Sequence, residues 1–135
     1  MRVAVVSAPS IRRPPPDYVQ ALAKGMTSMG HAVDVIDAWT GDGMRLPGYD
    51  YVAVVTEPVS LFSRQVPDVV AKVLSAGSGL TGKKSASFIK KRGLRFNRTL
   101  STLMRAMEKE GMVVNWSDIL LNAPHAEAMG KRIGA

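Results

Sequence analysis

Pro47-Gly48-Tyr49-Asp50 is a turn signal, and it runs straight into Tyr51-Val52-Ala53-Val54-Val55-Thr56, the most hydrophobic stretch of the chain. Side chains of a strand point alternately to opposite faces, so a run apolar at every position must be covered on both sides. That is the condition of an inner strand of a parallel sheet sandwiched between helices, and 51–56 is expected at its centre. Val3-Ala4-Val5-Val6-Ser7 reads the same way and supplies a first strand.

The segments between these strands carry a helical period. After Pro14-Pro15-Pro16, Asp17 and Tyr18 lead into Leu22, Met26 and Met29 at helical spacing, with Gly30 placed as a stop. His31–Asp37 reads as a second strand, and Ala38–Gly48 as a loop without helical repeat. Pro67 starts a helix with Val69, Val70, Val73 and Leu74 on one face, and Lys84–Ile89 is a fourth strand. Asn97 is a plausible N-cap for a helix in which Leu100, Leu103, Met104 and Met107 recur at i, i+3, i+4 and i+7, stopped by Gly111. Met112–Asn115 with Ile119–Leu121 gives a fifth strand region, interrupted near Trp116-Ser117-Asp118, and Pro124 begins a last helix through Ile133. Strands alternating with helices over short connections predict right-handed crossovers and a doubly wound α/β fold with helices on both faces, formed by one domain over 1–135.

Composition narrows the chemistry. The chain of 135 residues has no cysteine, which removes disulfides, thiolate nucleophiles and Cys-ligated metals, and two histidines are too few for a zinc set. His31 and His125 have no nucleophile in sequence reach, so a catalytic triad is not supported, and the methionines fit the apolar helix stripes. No segment has the uninterrupted apolar length of a membrane helix, and the N-terminal run is shorter than a signal-peptide core, so a cytoplasmic protein is expected. The net charge is +7, and no acid lies between Asp68 and Glu108 while Lys72, Lys83, Lys84, Lys90, Lys91, Arg92, Arg95, Arg98 and Arg105 do. An anionic partner is implied.

Three runs resemble one family. Tyr49–Ser63, with Pro58 and Ser63, looks like the third strand and flavin-flanking loop of short flavodoxins; Leu80-Thr81-Gly82-Lys83-Lys84 looks like their approach to the fourth strand; and Glu110–Val114 resembles their following turn and fifth strand. The resemblance implies a flavodoxin-like five-stranded parallel sheet in the order 2-1-3-4-5. It also implies non-covalent binding of flavin mononucleotide for electron transfer or reduction, with a redox protein as partner. On that reading Ser7, Ser10, Arg12 and Arg13 hold the phosphate, while Glu57, Pro58, Val59, Ser60, Leu61 and Phe62 flank the flavin ring on one side and Ile89, Lys90, Lys91, Arg92 and Gly93 on the other.

The ligand loops depart from the family pattern. The first loop, Ser7-Ala8-Pro9-Ser10-Ile11-Arg12-Arg13-Pro14-Pro15-Pro16, has four prolines that donate no N–H and no glycine that lets the backbone close on a phosphate. Only the hydroxyls of Ser7 and Ser10 persist, with two arginines beside them. Phe62, Phe96 and Trp39 either stack on a ring or plug the core edge, and Glu57 either serves the site or sits in a surface or capping role. The alternative reading is a flavin-free module of the same fold whose basic edge binds a phosphorylated metabolite, nucleic acid or an acidic protein, although no nucleic-acid-reading motif is present. A third reading is a structural partner domain that dimerises through its short sheet edge or its Met-bearing helix faces, with a monomer as its counterpart.

Overall fold

In the computed structural model, which describes residues 1–133, five strands form one parallel sheet in the order β2-β1-β3-β4-β5. They are β1 (Arg2–Ala8), β2 (Ala32–Asp37), β3 (Tyr51–Thr56), β4 (Lys84–Lys90) and β5 (Val113–Leu120). Strand 51–56 is the middle strand, buried at all six positions, as its uninterrupted apolar run requires. The helices are α1 (Asp17–Ser28), α2 (Asp68–Ala76), α3 (Phe96–Lys109) and α4 (Ala123–Ile133).

Alternation along the strands divides the core in two. Val3, Val5, Tyr51, Ala53, Val55 and Phe88 face α1 and α4, meeting Leu22, Met26 and Met129. Ala4, Val6, Val52, Val54 and Ile89 face α2 and α3, meeting Val70, Leu74, Leu103 and Met107. The four helices thus pair two to a face, and the face follows from the period-2 register alone. Helices α1 and α4 cross so closely that a methyl group added at Gly130 would run into the Leu22 carbonyl oxygen, and one at Gly25 into that of Glu127.

Three local readings of the sequence are corrected. The segment after β2 is not loop-like: it forms two 3-10 helices, Ala38–Thr40 and Asp42–Gly48, the first capped by the Asp37 carboxylate accepting from the Trp39 N–H at 2.9 Å. The fifth strand is continuous. Its irregularity is a bulge, since Ser85 pairs with Val114 and Ala86 with Trp116, leaving Asn115 over. The Asn115 side chain accepts from the Tyr51 hydroxyl at 2.7 Å, and burial pushes the Tyr51 pKa up to about 12, which keeps that donor protonated. Helix α3 begins at Phe96, not after Asn97, and no side chain caps it.

Candidate functional site

Parallel strands bring their C-terminal ends to one edge, so the loops 9–16, 57–67 and 91–95 meet there, joined by the turn after β2. Glu57, the first residue beyond β3, is at the centre. Its side chain is only 3% exposed, yet it carries a charge, and everything around it answers that charge. One carboxylate oxygen, Oε2, accepts from the Ser10 N–H at 3.0 Å, the Ser10 hydroxyl at 2.5 Å and Arg92 Nη1 at 3.0 Å. The other, Oε1, accepts from Arg13 Nη2 at 3.0 Å and the Tyr18 hydroxyl at 3.2 Å. Burial raises the carboxyl's pKa, but the two Ser10 hydrogen bonds and the Arg13 and Arg92 charges outweigh it, and the pKa ends below the ordinary glutamate value. Tyr18 is pushed far up, first by burial and then by Glu57, so it remains a donor.

The cluster ties three loops and the first turn of α1 into one unit. Arg92 also reaches the Ser10 hydroxyl, at 3.2 Å, and the Thr56 hydroxyl donates to the Ala8 carbonyl at 2.5 Å, fixing the end of β1 to the end of β3. A second closure is backbone to backbone: the Leu94 N–H donates to the Leu61 carbonyl at 2.8 Å. Gly93 makes the approach possible, with φ of +73° and a missing Cβ that would lie 2.6 Å from the Leu61 oxygen.

The residues predicted for the site are therefore on one edge, in different settings. Ser10, Arg13, Glu57 and Arg92 are in mutual contact. Ser7 is buried at the end of β1 with a hydroxyl that finds no partner, as does Arg13 Nε, and Arg12 projects into solvent. Pro58 and Ile89 are buried, Val59, Ser60, Leu61 and Phe62 exposed, with Phe62 at 70%. Lys90 Nζ lies 5.8 Å from the Tyr18 ring centre and Lys91 Nζ 5.8 Å from that of Phe96. Trp39 is held by its indole N–H, which donates to the Pro9 carbonyl at 3.0 Å, and Phe96 packs on the core, whereas Phe62 packs on nothing comparable.

Glu57 is neither a surface residue nor a cap. The sequence marked it as the one acid near the loops but gave no sign of its partners, and Tyr18 was missed altogether: it reads as a core tyrosine of an amphipathic helix. A cavity of about 570 Å³ beside the cluster, between Trp39, Val59, Gln65, Pro67, Asp68 and Lys72, was also not foreseen. The basic run splits in space. Lys83 lies at the opposite edge of the sheet, donating to the carbonyls of Pro47 at 3.2 Å and Tyr49 at 2.5 Å, while 90–98 stays at the loop edge.

A flavin mononucleotide phosphate does not fit these residues as arranged. Of the first loop's expected phosphate ligands, the Ser10 N–H and hydroxyl and Arg13 already serve Glu57, Arg12 alone stays in solvent, and the carboxylate occupies the place of an anion and cancels one of the two cationic charges that would draw a phosphate there. The two loops expected to flank the ring are hydrogen-bonded to each other. Among the described residues there is no group of side chains that could hold a metal ion, and no helix is long and apolar enough to cross a membrane.

No family model and no curated protein matches the sequence. Solved structures do match its shape. A flavodoxin from the domain Archaea superposes with a TM-score of 0.73 at 18% identity, covering 99% of this chain and 96% of that one. Two-electron reduced Megasphaera elsdenii flavodoxin gives 0.72 at 16% identity over 98% of both chains. Oxidised flavodoxin 1 from Bacillus cereus gives 0.69 at 16%, covering 99% and 95%. With its strand order 2-1-3-4-5 and helices on both faces, the chain has the flavodoxin-like α/β fold.

Proposed function

We propose that this chain is a flavodoxin-fold module that works without flavin and binds an acidic protein surface through the loop edge of its sheet. The observation that carries this reading is the Glu57 cluster, which takes up the Ser10 and Arg13 donors of the first loop. What is left free on the same edge is cationic and apolar together. Arg12, Arg64, Lys91, Arg95 and Arg98 are exposed, and so are Ile11, Leu61, Phe62 and Leu94, the last at 72%. Apolar side chains set among arginines are the composition of protein-binding surfaces, while the cations select an acidic partner and speed its approach.

A second reading, non-covalent flavin mononucleotide for electron transfer, is supported by the likeness to flavodoxins. It requires Glu57 to leave Ser10 and the Leu94–Leu61 hydrogen bond to open. One experiment separates the two: absorption spectra of the purified protein before and after incubation with flavin mononucleotide and desalting, followed by titration with a labelled polyglutamate peptide and a single-stranded oligonucleotide at low and high salt. The proposal expects no retained flavin and salt-sensitive binding of the peptide. Retained flavin, or binding of the oligonucleotide alone, overturns it.

A further inference from the structure

We propose that the Glu57 carboxylate is a built-in substitute for a ligand's phosphate, holding the three loops of the sheet edge in place around an anion that belongs to the chain itself. The inference stands on the loop geometry and not on which partner the edge binds. The donors assembled on Glu57 are a backbone N–H, a serine hydroxyl, a phenol and two guanidinium groups, contributed by the loop after β1, the first turn of α1 and the loop after β4. Such a mixed cationic and neutral set is what a bound oxyanion gathers. Here the oxyanion is tethered at the end of the central strand, next to Pro58, so it competes as an intramolecular ligand with no translational entropy to lose.

The match is to something larger than a carboxylate. Arg13 and Arg92 each reach Glu57 through a single Nη atom, with neither forming the two-pronged pair that a guanidinium makes with an anion placed for it. Arg13 Nε, on the same guanidinium, is buried without a partner. Two oxygens leave the Arg13 Nε donor over, and a phosphate monoester has three. The prolines of the first loop fit the same picture. They remove the backbone N–H groups at 9 and 14–16, up to the start of α1, where a nucleotide phosphate ordinarily rests on amides, and the carboxylate needs only the one at Ser10. Without an internal anion the two guanidinium groups and the buried Tyr18 hydroxyl would face one another uncompensated, so the edge depends on Glu57 for its closed form.

Removing the carboxylate then opens a vacant site for an external oxyanion, which inorganic phosphate can report. Thermal melting of Glu57→Ala is measured in chloride and in phosphate at matched ionic strength, beside the unmodified protein and the double variant Glu57→Ala/Arg92→Ala. The expected result is that Glu57→Ala melts below the unmodified protein and that phosphate raises its Tm in a saturable way, while the unmodified protein does not respond saturably. In the double variant the apparent phosphate affinity falls about tenfold or more, the loss of one charge-assisted hydrogen bond. The double variant also separates binding from the general stabilising action of phosphate as an excluded salt, which both would feel alike. If Glu57→Ala does not fold in chloride, recovery of its circular dichroism by phosphate supports the proposal. If it does not fold in either salt, Glu57→Ser, which also vacates the carboxylate's place, is used with phosphorus-31 line broadening; broadening that needs Arg92 supports the proposal, and broadening that is absent or does not need Arg92 overturns it. Equal phosphate responses in the single and double variants, equal responses in the unmodified protein and Glu57→Ala, or no saturable response in any variant overturns it.

Discussion

Glu57→Gln is the most demanding test of the account of the loop edge, because it keeps the side chain's shape and removes only its charge and one acceptor. In the protein both oxygens are used: three donors converge on Oε2 and two on Oε1. An amide presents one oxygen and one NH2 group, so whichever way it turns, at least two donors lose their acceptor and meet a donor instead. With the oxygen kept toward Ser10 and Arg92, the losers are Arg13 and the buried Tyr18 hydroxyl. Hydrogen bonds to charged groups contribute roughly 1.5–3 kcal/mol each, and breaking a buried ion pair costs about 3–5 kcal/mol. The side chains of Arg13 and Arg92 are 37% and 40% exposed and can turn to water, which lowers the expected cost. A net loss of about 2–4 kcal/mol follows, or roughly 6–15 °C in Tm for a chain of this size.

The same variant tests the electrostatics by its pH dependence. Glu57's pKa in the folded protein lies below its ordinary value, so the unfolded chain takes up the proton first as pH falls. The stabilisation is therefore complete above the unfolded glutamate value of about 4.3 and is lost as pH drops through the lower folded value. Urea unfolding of both proteins at pH 7 and near pH 3 should give the full difference at the first pH and a smaller one at the second. A difference below about 0.5 kcal/mol at pH 7, or one that does not shrink on acidification, would refute the reasoning.

Two further outcomes test the scaffold. Gly130→Ala places a methyl group against the Leu22 carbonyl and must push α1 and α4 apart; a cost of about 1–3 kcal/mol is expected in urea unfolding despite alanine's better helix propensity, and an unchanged or increased stability would contradict the close crossing. Lys83→Met keeps the apolar stem but strips the donor from the Pro47 and Tyr49 carbonyls, so a loss of about 1.5–3 kcal/mol is expected, with faster hydrogen exchange around the start of β3. Unaltered exchange there would mean that the lysine only fills space.

The sequence by itself determined the scaffold. Uninterrupted apolar runs at 3–6 and 51–55 require cover on both faces, and the 3.6-residue stripes at 22–29 and 100–107 supply it; these are local patterns, and burial of apolar area makes them binding on the fold. Where local pattern was ambiguous, neighbours decided. Trp116-Ser117-Asp118 reads as a break, yet pairing with β4 carries the strand through it and confines the irregularity to a bulge at Asn115. The site was legible only as a list of loops. Ser10, Tyr18, Glu57 and Arg92 are separated by up to 82 positions in the chain, and nothing in their spacing says that one carboxylate will pair with two arginines. Nor does a run of lysines and arginines from 72 to 105 say that Lys83 will hold carbonyls at one edge of the sheet while Arg92 binds a glutamate at the other. Charge interactions act through space and depend on burial, so only the tertiary structure, by bringing strand ends together and excluding water from Glu57, turned a basic sequence into an anion site that its own side chain fills.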